Sequence, residues 1–181
     1  MLILFVSIRF LSRHNVKNKL IEFMKIYSSP TCPYCATLHL TVIPELKQNY
    51  TDKGTLKIIH KDFPLDIQGL NAGKISKCIK KEKLFEFFNI IYSEQKKWSI
   101  GKNIEEINTK LKAIALKFNI NNKKFDECIS DKKIEELVLN SRIQGTKKYN
   151  INATPTIIIN NTKYAGDYTY SAISKFIESI K

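Results

Sequence analysis

Two thiols three positions apart, Cys32 and Cys35 in Pro30-Thr31-Cys32-Pro33-Tyr34-Cys35, are the residues of this chain best placed to do chemistry. An apolar run from Leu20 to Tyr27 precedes them and a helical pattern follows, so Cys32 is expected where a strand ends and a helix begins. There the unsatisfied N–H groups and aligned peptide dipoles favour thiolate over thiol, and the thiolate is the form that attacks disulfides. Cys35 falls one helical turn on, close enough to close a small disulfide and release whatever Cys32 has captured. The same spacing is also half a zinc site. A structural zinc needs a second close pair of ligands, and the other candidates, Cys78, Cys128, His14, His39 and His60, lie singly and far apart. The motif reads as a redox couple, with a thiol-based metal-binding module as the alternative from a different class.

The chain that must position this pair has 181 residues, enough for one domain, or a domain with an insertion, that buries a core without disulfide staples. Its net charge of +13 raises a nucleic-acid reading. That excess comes from 27 Lys against 3 Arg, scattered in short pieces such as Lys80-Lys81 and Lys147-Lys148, whereas nucleic-acid readers concentrate Arg on one face. No nucleic-acid signature accompanies it. The positive field still favours a thiolate and attracts anionic partners.

Leu20 to Tyr27 has the β-branched and aromatic content of a central strand. The helix after Cys32 carries Ala36, Leu38, Val42, Ile43 and Leu46, and Pro44 within it should kink it. Asp52-Lys53-Gly54 marks a turn and Thr55 to His60 a second strand, so strand, crossover helix and strand predict a right-handed βαβ unit with parallel strands. From 68 to 145 the two-residue alternation gives way to helical spacing, for example Leu84, Phe87, Phe88 and Ile91, which predicts an insert of four or five helices. Trp98 is expected to cover that insert's core. Then Thr156–Ile159 and Lys163–Tyr164 flank Asn160-Asn161, a pair tolerant of the positive φ of a tight hairpin. A final helix presents Ile173, Phe176, Ile177 and Ile180 on one face. The fold class is α/β, a thioredoxin-like fold with an inserted all-helical domain: 19–67 and 146–181 form the α/β part and 68–145 the insert.

At this point the sequence resembles the DsbA-like thiol:disulfide oxidoreductases of the thioredoxin superfamily, from about Lys19 to Ile180. The marks are Pro30 to Cys35, His39, Pro44-Glu45-Leu46, Lys61 to Leu65, Gln95 to Trp98, Phe125 to Cys128 and Ala153-Thr154-Pro155-Thr156. The resemblance implies Cys32 as an exposed nucleophile, Cys35 as the buried resolving thiol, Pro33 and Tyr34 as the residues tuning the pair, and Pro155 as a cis-proline beside it. Such a turn leaves the backbone of Thr154 to pair with an extended substrate segment. It also implies reduced, cysteine-containing exported proteins as partners, a membrane protein that reoxidises the enzyme, and neither cofactor nor metal. Some members bridge two helices of the insert, which makes Cys78 and Cys128 a candidate structural disulfide; two reduced, buried thiols acting as small hydrophobes are the plainer reading.

Two departures limit the inheritance. The buried carboxylate often found six residues before the first cysteine is here Ile26, and Glu22 lies ~13 Å further along the strand. Tyr34 stands where strongly oxidising members carry histidine, and a neutral phenol stabilises the thiolate less, so a milder oxidant is expected, with isomerase or reductase as the alternative. His39 and His60 read as structural. The location expected is periplasmic or otherwise exported. Residues 1–18 open with the apolar stretch Met1 to Leu11, too short to span a bilayer and consistent with a remnant signal, an anchor, a buried strand or a misassigned start.

Overall fold

A computed structural model describes residues 22–180; the apolar N-terminal segment, His14, and the first two residues of the expected first strand lie outside them. The strand β1 (Glu22–Ser28) occupies the interior of a four-stranded sheet of order β2-β1-β3-β4. It pairs in parallel with β2 (Leu56–Asp62), in register from Glu22↔Leu56 to Ser28↔Asp62, and antiparallel with β3 (Thr156–Ile159). The hairpin to β4 (Thr162–Lys163) turns on Asn160 and Asn161, both at positive φ. Alternation along β1 splits two cores: Met24 and Ile26 face one helical layer, while Tyr27 packs with Phe63, Ile151 and Ile158 on the other side.

The crossover between β1 and β2 is helical throughout but not uniform. It runs as α1 (Pro33–Thr37), a π-helical turn at Leu38–Val42, α2 (Ile43–Leu46) and a second π turn at Lys47–Thr51. Just ahead of Pro44 the helix widens, with Ile43 N–H donating to the Leu38 carbonyl. The proline ring clashes with the carbonyl four residues back, and a wider turn relieves that crowding. The buried stripe Leu38, Val42, Ile43 and Leu46 lies on Met24, Ile26, Leu56 and Ile157, joined by Ile173 and Ile177 of the last helix. Ile180, expected on that face, is exposed because the helix ends at Ser179.

Six α-helices, not four or five, and a 3-10 turn at Lys81–Lys83 occupy the stretch between the two halves of the sheet: α3 (Ile67–Cys78), α4 (Leu84–Ser93), α5 (Gln95–Trp98), α6 (Ile104–Leu116), α7 (Asn122–Ser130) and α8 (Lys132–Tyr149). The extra one is the four-residue α5, too short for periodicity to register. Side-chain caps open four of them: Asp66 for α3, Asn103 for α6, Asn121 for α7 and Asp131 for α8. Phe87, Ile91, Trp98, Leu111, Ile114 and Phe125 fill their common core. A disulfide joins Cys78 at the end of α3 to Cys128 in α7. The expected boundary at 145/146 falls inside α8, which packs Val138 against Gly73 of α3 and Gly145 against the Tyr27 ring. One helix thus serves both the insert and the sheet. The helix α9 (Tyr170–Ser179) closes the chain, capped by Thr169.

Candidate active site at Cys32 and Cys35

The end of β1 delivers the chain into a tight turn over Ser29 to Cys32, closed by Cys32 N–H on the Ser29 carbonyl at 3.1 Å. The Ser29 hydroxyl holds it from a second direction, accepting from Thr31 N at 3.4 Å and from Leu65 N at 3.3 Å in the loop after β2. The start of α3 presses on the same turn at Gly69, where a Cβ would come within 2.8 Å of Ser29 Oγ and force that hydroxyl to move. Pro33 then opens α1 with its φ already helical and no donor to waste.

Cys32 is the N-cap of α1, and its sulfur accepts from Cys35 N at 3.4 Å. Both thiols are free. The Sγ of Cys32 also lies 3.2 Å from the Thr154 carbonyl oxygen, in the cis Thr154-Pro155 peptide that leads into β3. The Thr154 hydroxyl is buried there without another partner, free to donate to whichever sulfur carries charge.

These contacts divide the two thiols. Cys32 is held well below the ordinary thiol range, at about 5, chiefly because Cys35 donates to its sulfur; Thr154 and the amides of Cys35 and Tyr34 add to this, against an opposing push from burial. Burial drives Cys35 the other way, reinforced by the charge its neighbour takes on. The depression of Cys32 comes from the Cys35 thiol, the Thr154 hydroxyl and two amides, not from Tyr34's ring, which is 76% exposed.

One expectation is corrected. Cys32 is not exposed: only 4% of its surface is open, against 1% for Cys35. Its side chain turns inward to meet the Cys35 amide and lies against the Thr154 carbonyl.

Behind Cys35 lies a cavity of about 290 Å³, walled by Ile26, Ile58, His39, His60 and Phe88 among others. Glu22 is far from it, buried at the other end of β1 and bonded to Asn160 Nδ2. His60 stacks on Phe88 with ring centroids 4.1 Å apart and has Nε2 3.7 Å from Asp62 Oδ1; burial nonetheless lowers its pKa to about 4. His39 bonds Asn89 at 2.9 Å and is lowered to about 4 for the same reason. Among the described residues no three His, Cys, Asp or Glu side chains converge on a point that could hold a metal.

Gln95 is a contributor that spacing alone did not reveal. Its amide reaches from α5 to the carbonyls of Pro30 and Cys32, at 2.8 and 3.0 Å. The sequence marked the Gln95–Trp98 segment only as a shared motif.

The thioredoxin family profile matches residues 19–179. The chain belongs to that family. Among solved structures it is similar to alpha-DsbA1 of Wolbachia pipientis, 31% identical, with a TM-score of 0.80 over 89% of this chain and 86% of that one. It shares its fold with BdbD from Bacillus subtilis, 19% identical, at a TM-score of 0.74 over 87% of this chain and 86% of that one. The sheet, crossover and hairpin are thus the thioredoxin-like fold, carrying the inserted helices of the DsbA type. A relative from Rickettsia bellii bearing the name "Putative protein-disulfide oxidoreductase" is 31% identical over 159 residues, 86% of this chain and 60% of its own. One of the same name from Rickettsia felis is 30% identical over 154 residues, 84% of this chain and 54% of its own. The chain therefore spans 54–60% of the length of these two curated relatives.

Proposed function

We propose that the chain is a DsbA-like thiol:disulfide oxidoreductase that introduces disulfides into exported proteins. The opposed acidities of the two thiols carry this reading: Cys32 is an easily formed thiolate at a helix N-terminus, and Cys35 is a thiol held protonated behind it. In the oxidised enzyme a substrate thiolate attacks Cys32, the Cys32–Cys35 bond breaks, and Cys35 leaves and takes up a proton. A second substrate thiolate then attacks the substrate sulfur of the mixed disulfide. The substrate disulfide forms, and Cys32 departs as a thiolate stabilised by its amide donors. Two electrons have passed to the enzyme. Thr154, with its carbonyl beside Cys32, is the natural place for an extended substrate segment to align.

The working direction needs an oxidising compartment, hence a periplasmic or otherwise exported location and a membrane partner that restores the disulfide. No helix among the described residues is long and apolar enough to cross a membrane. An isomerase or reductase is the second reading. It is favoured by Tyr34, which brings no positive charge to Cys32, and by a Cys32 value lying between the about 3.5 of strong oxidants and the about 7 of thioredoxin.

The deciding experiment is the reduction potential of the Cys32–Cys35 couple in glutathione buffers, with Cys78–Cys128 scored separately by alkylation and mass spectrometry. A value towards about −120 mV supports the disulfide donor, and one near about −180 mV the isomerase. A value towards about −270 mV overturns the oxidant and identifies a reductant.

A further inference from the structure

The buried carbonyls of the turn carrying Cys32 are served by a residue from outside the α/β layers. Gln95 Nε2 donates to Pro30 O at 2.8 Å and to Cys32 O at 3.0 Å, spending both hydrogens of one amide nitrogen. An ionised carboxylate has no donor to offer and an imidazole has one per nitrogen, so neither could serve both carbonyls from one atom as the amide nitrogen does. Gln95 is itself buried. The short helix bearing it is anchored by Trp98, whose indole donates to the Ile91 carbonyl at 2.7 Å in the core of the insert. Cys32 O has a second donor in Ala36 N at 3.1 Å.

Such a contact bears on the sulfur in two ways. Carbonyl oxygens are the negative ends of peptide dipoles, and those of Pro30 and Cys32 lie close to the atom that must hold a negative charge; pairing them with N–H groups offsets that field. The contact also fixes the turn, and with it the direction of the Cys35 amide that points at Cys32 Sγ.

We infer that Gln95 is a positioning residue for the dithiol chemistry: through the carbonyls of Pro30 and Cys32 the helical insert sets how readily Cys32 departs as a thiolate. The inference rests on the proposed role of Cys32. Gln95 bonds the carbonyls of the turn, not the sulfurs, and its effect is on the poise of the couple.

The test uses the full chain with Gln95→Leu and Gln95→Glu, and Trp98→Phe as a variant that loosens the same helix without reaching the turn. The readouts are thiolate absorbance of the reduced protein against pH, the equilibrium with glutathione, and the melting temperature. Both Gln95 variants are expected to raise the pH at which Cys32 ionises. They should also shift the glutathione equilibrium about tenfold towards the protein disulfide, or about 30 mV more reducing. Trp98→Phe should lower the melting temperature and leave both sulfur readouts in place. If the Gln95 variants behave like Trp98→Phe, the residue is merely structural and the inference is overturned; should Gln95→Leu not fold, the same-sized Gln95→Glu decides. A wild type with no low-pH thiolate transition would instead remove the proposed role of Cys32 itself.

Discussion

Cys32 and Thr154, 122 positions apart in the chain, meet with the cysteine Sγ 3.2 Å from the threonine carbonyl oxygen, and the threonine hydroxyl is buried beside the same sulfur. The contact joins the end of β1 to the entry of β3 through their antiparallel pairing at Tyr27↔Thr156. A thiolate at Cys32 gains a donor from the hydroxyl, while the carbonyl opposes it.

Replacing Thr154 by Val keeps the shape and removes only that donor. Cys32 should then ionise at higher pH than its present value of about 5, with the cis turn and the melting temperature little changed. An unchanged thiolate titration would show that the Cys35 thiol and the amides of Cys35 and Tyr34 suffice.

The depressed Cys32 predicts how the reduced protein's stability depends on pH. Its folded pKa lies below the unfolded value, so its contribution is complete above the ordinary thiol range and disappears as pH falls through about 5. His39 and His60, also lowered, add acid destabilisation between about 6.5 and 4, but they do so in both redox forms. The difference in melting temperature, reduced minus oxidised, isolates Cys32 and should rise from pH 5 to pH 8. A flat difference would mean that Cys32 stays a thiol across that range.

The Cys78–Cys128 bridge closes a 50-residue separation across the insert, from α3 to α7, with Cα atoms 6.5 Å apart. Replacing both by Ala should cost up to about 4 kcal/mol in the chain-entropy picture. Mixed-disulfide formation at Cys32 should persist in what remains folded. Denaturant unfolding of the double variant measures the first, and trapping with a Cys35→Ala background the second; loss of trapping would tie the bridge to the chemistry.

Gly145 lets α8 lie directly on the sheet. A Cβ there would come within 2.6 Å of the buried Tyr27 ring, so Gly145→Ala must displace a packed aromatic and should cost about 1–3 kcal/mol despite the better helix propensity of alanine. A variant as stable as the wild type would show that the ring has room to move.

The local features of the fold were legible because they are written in neighbouring residues. The β-branched and aromatic run before Ser28 became β1, and the Asn160-Asn161 pair turned the hairpin at positive φ. The Cys32-to-Cys35 spacing by itself determined that a helical N-terminus would hold two thiols one turn apart, because helix geometry is local. What the tertiary structure alone decided is every contact made across the chain. These include the burial that leaves Cys32 4% exposed, the two carbonyls taken by Gln95 from 63 and 65 positions away, and the apolar space behind Cys35 where Ile26 replaces an acid. Burial at this site comes from the packing of three separate elements on one turn. The local turn supplies the main donors to the Cys32 sulfur, from the Cys35 thiol and the Cys35 and Tyr34 amides, while the packing adds the Thr154 hydroxyl and the burial that opposes them, because desolvation and aimed donors act over a few ångströms of space regardless of distance along the chain.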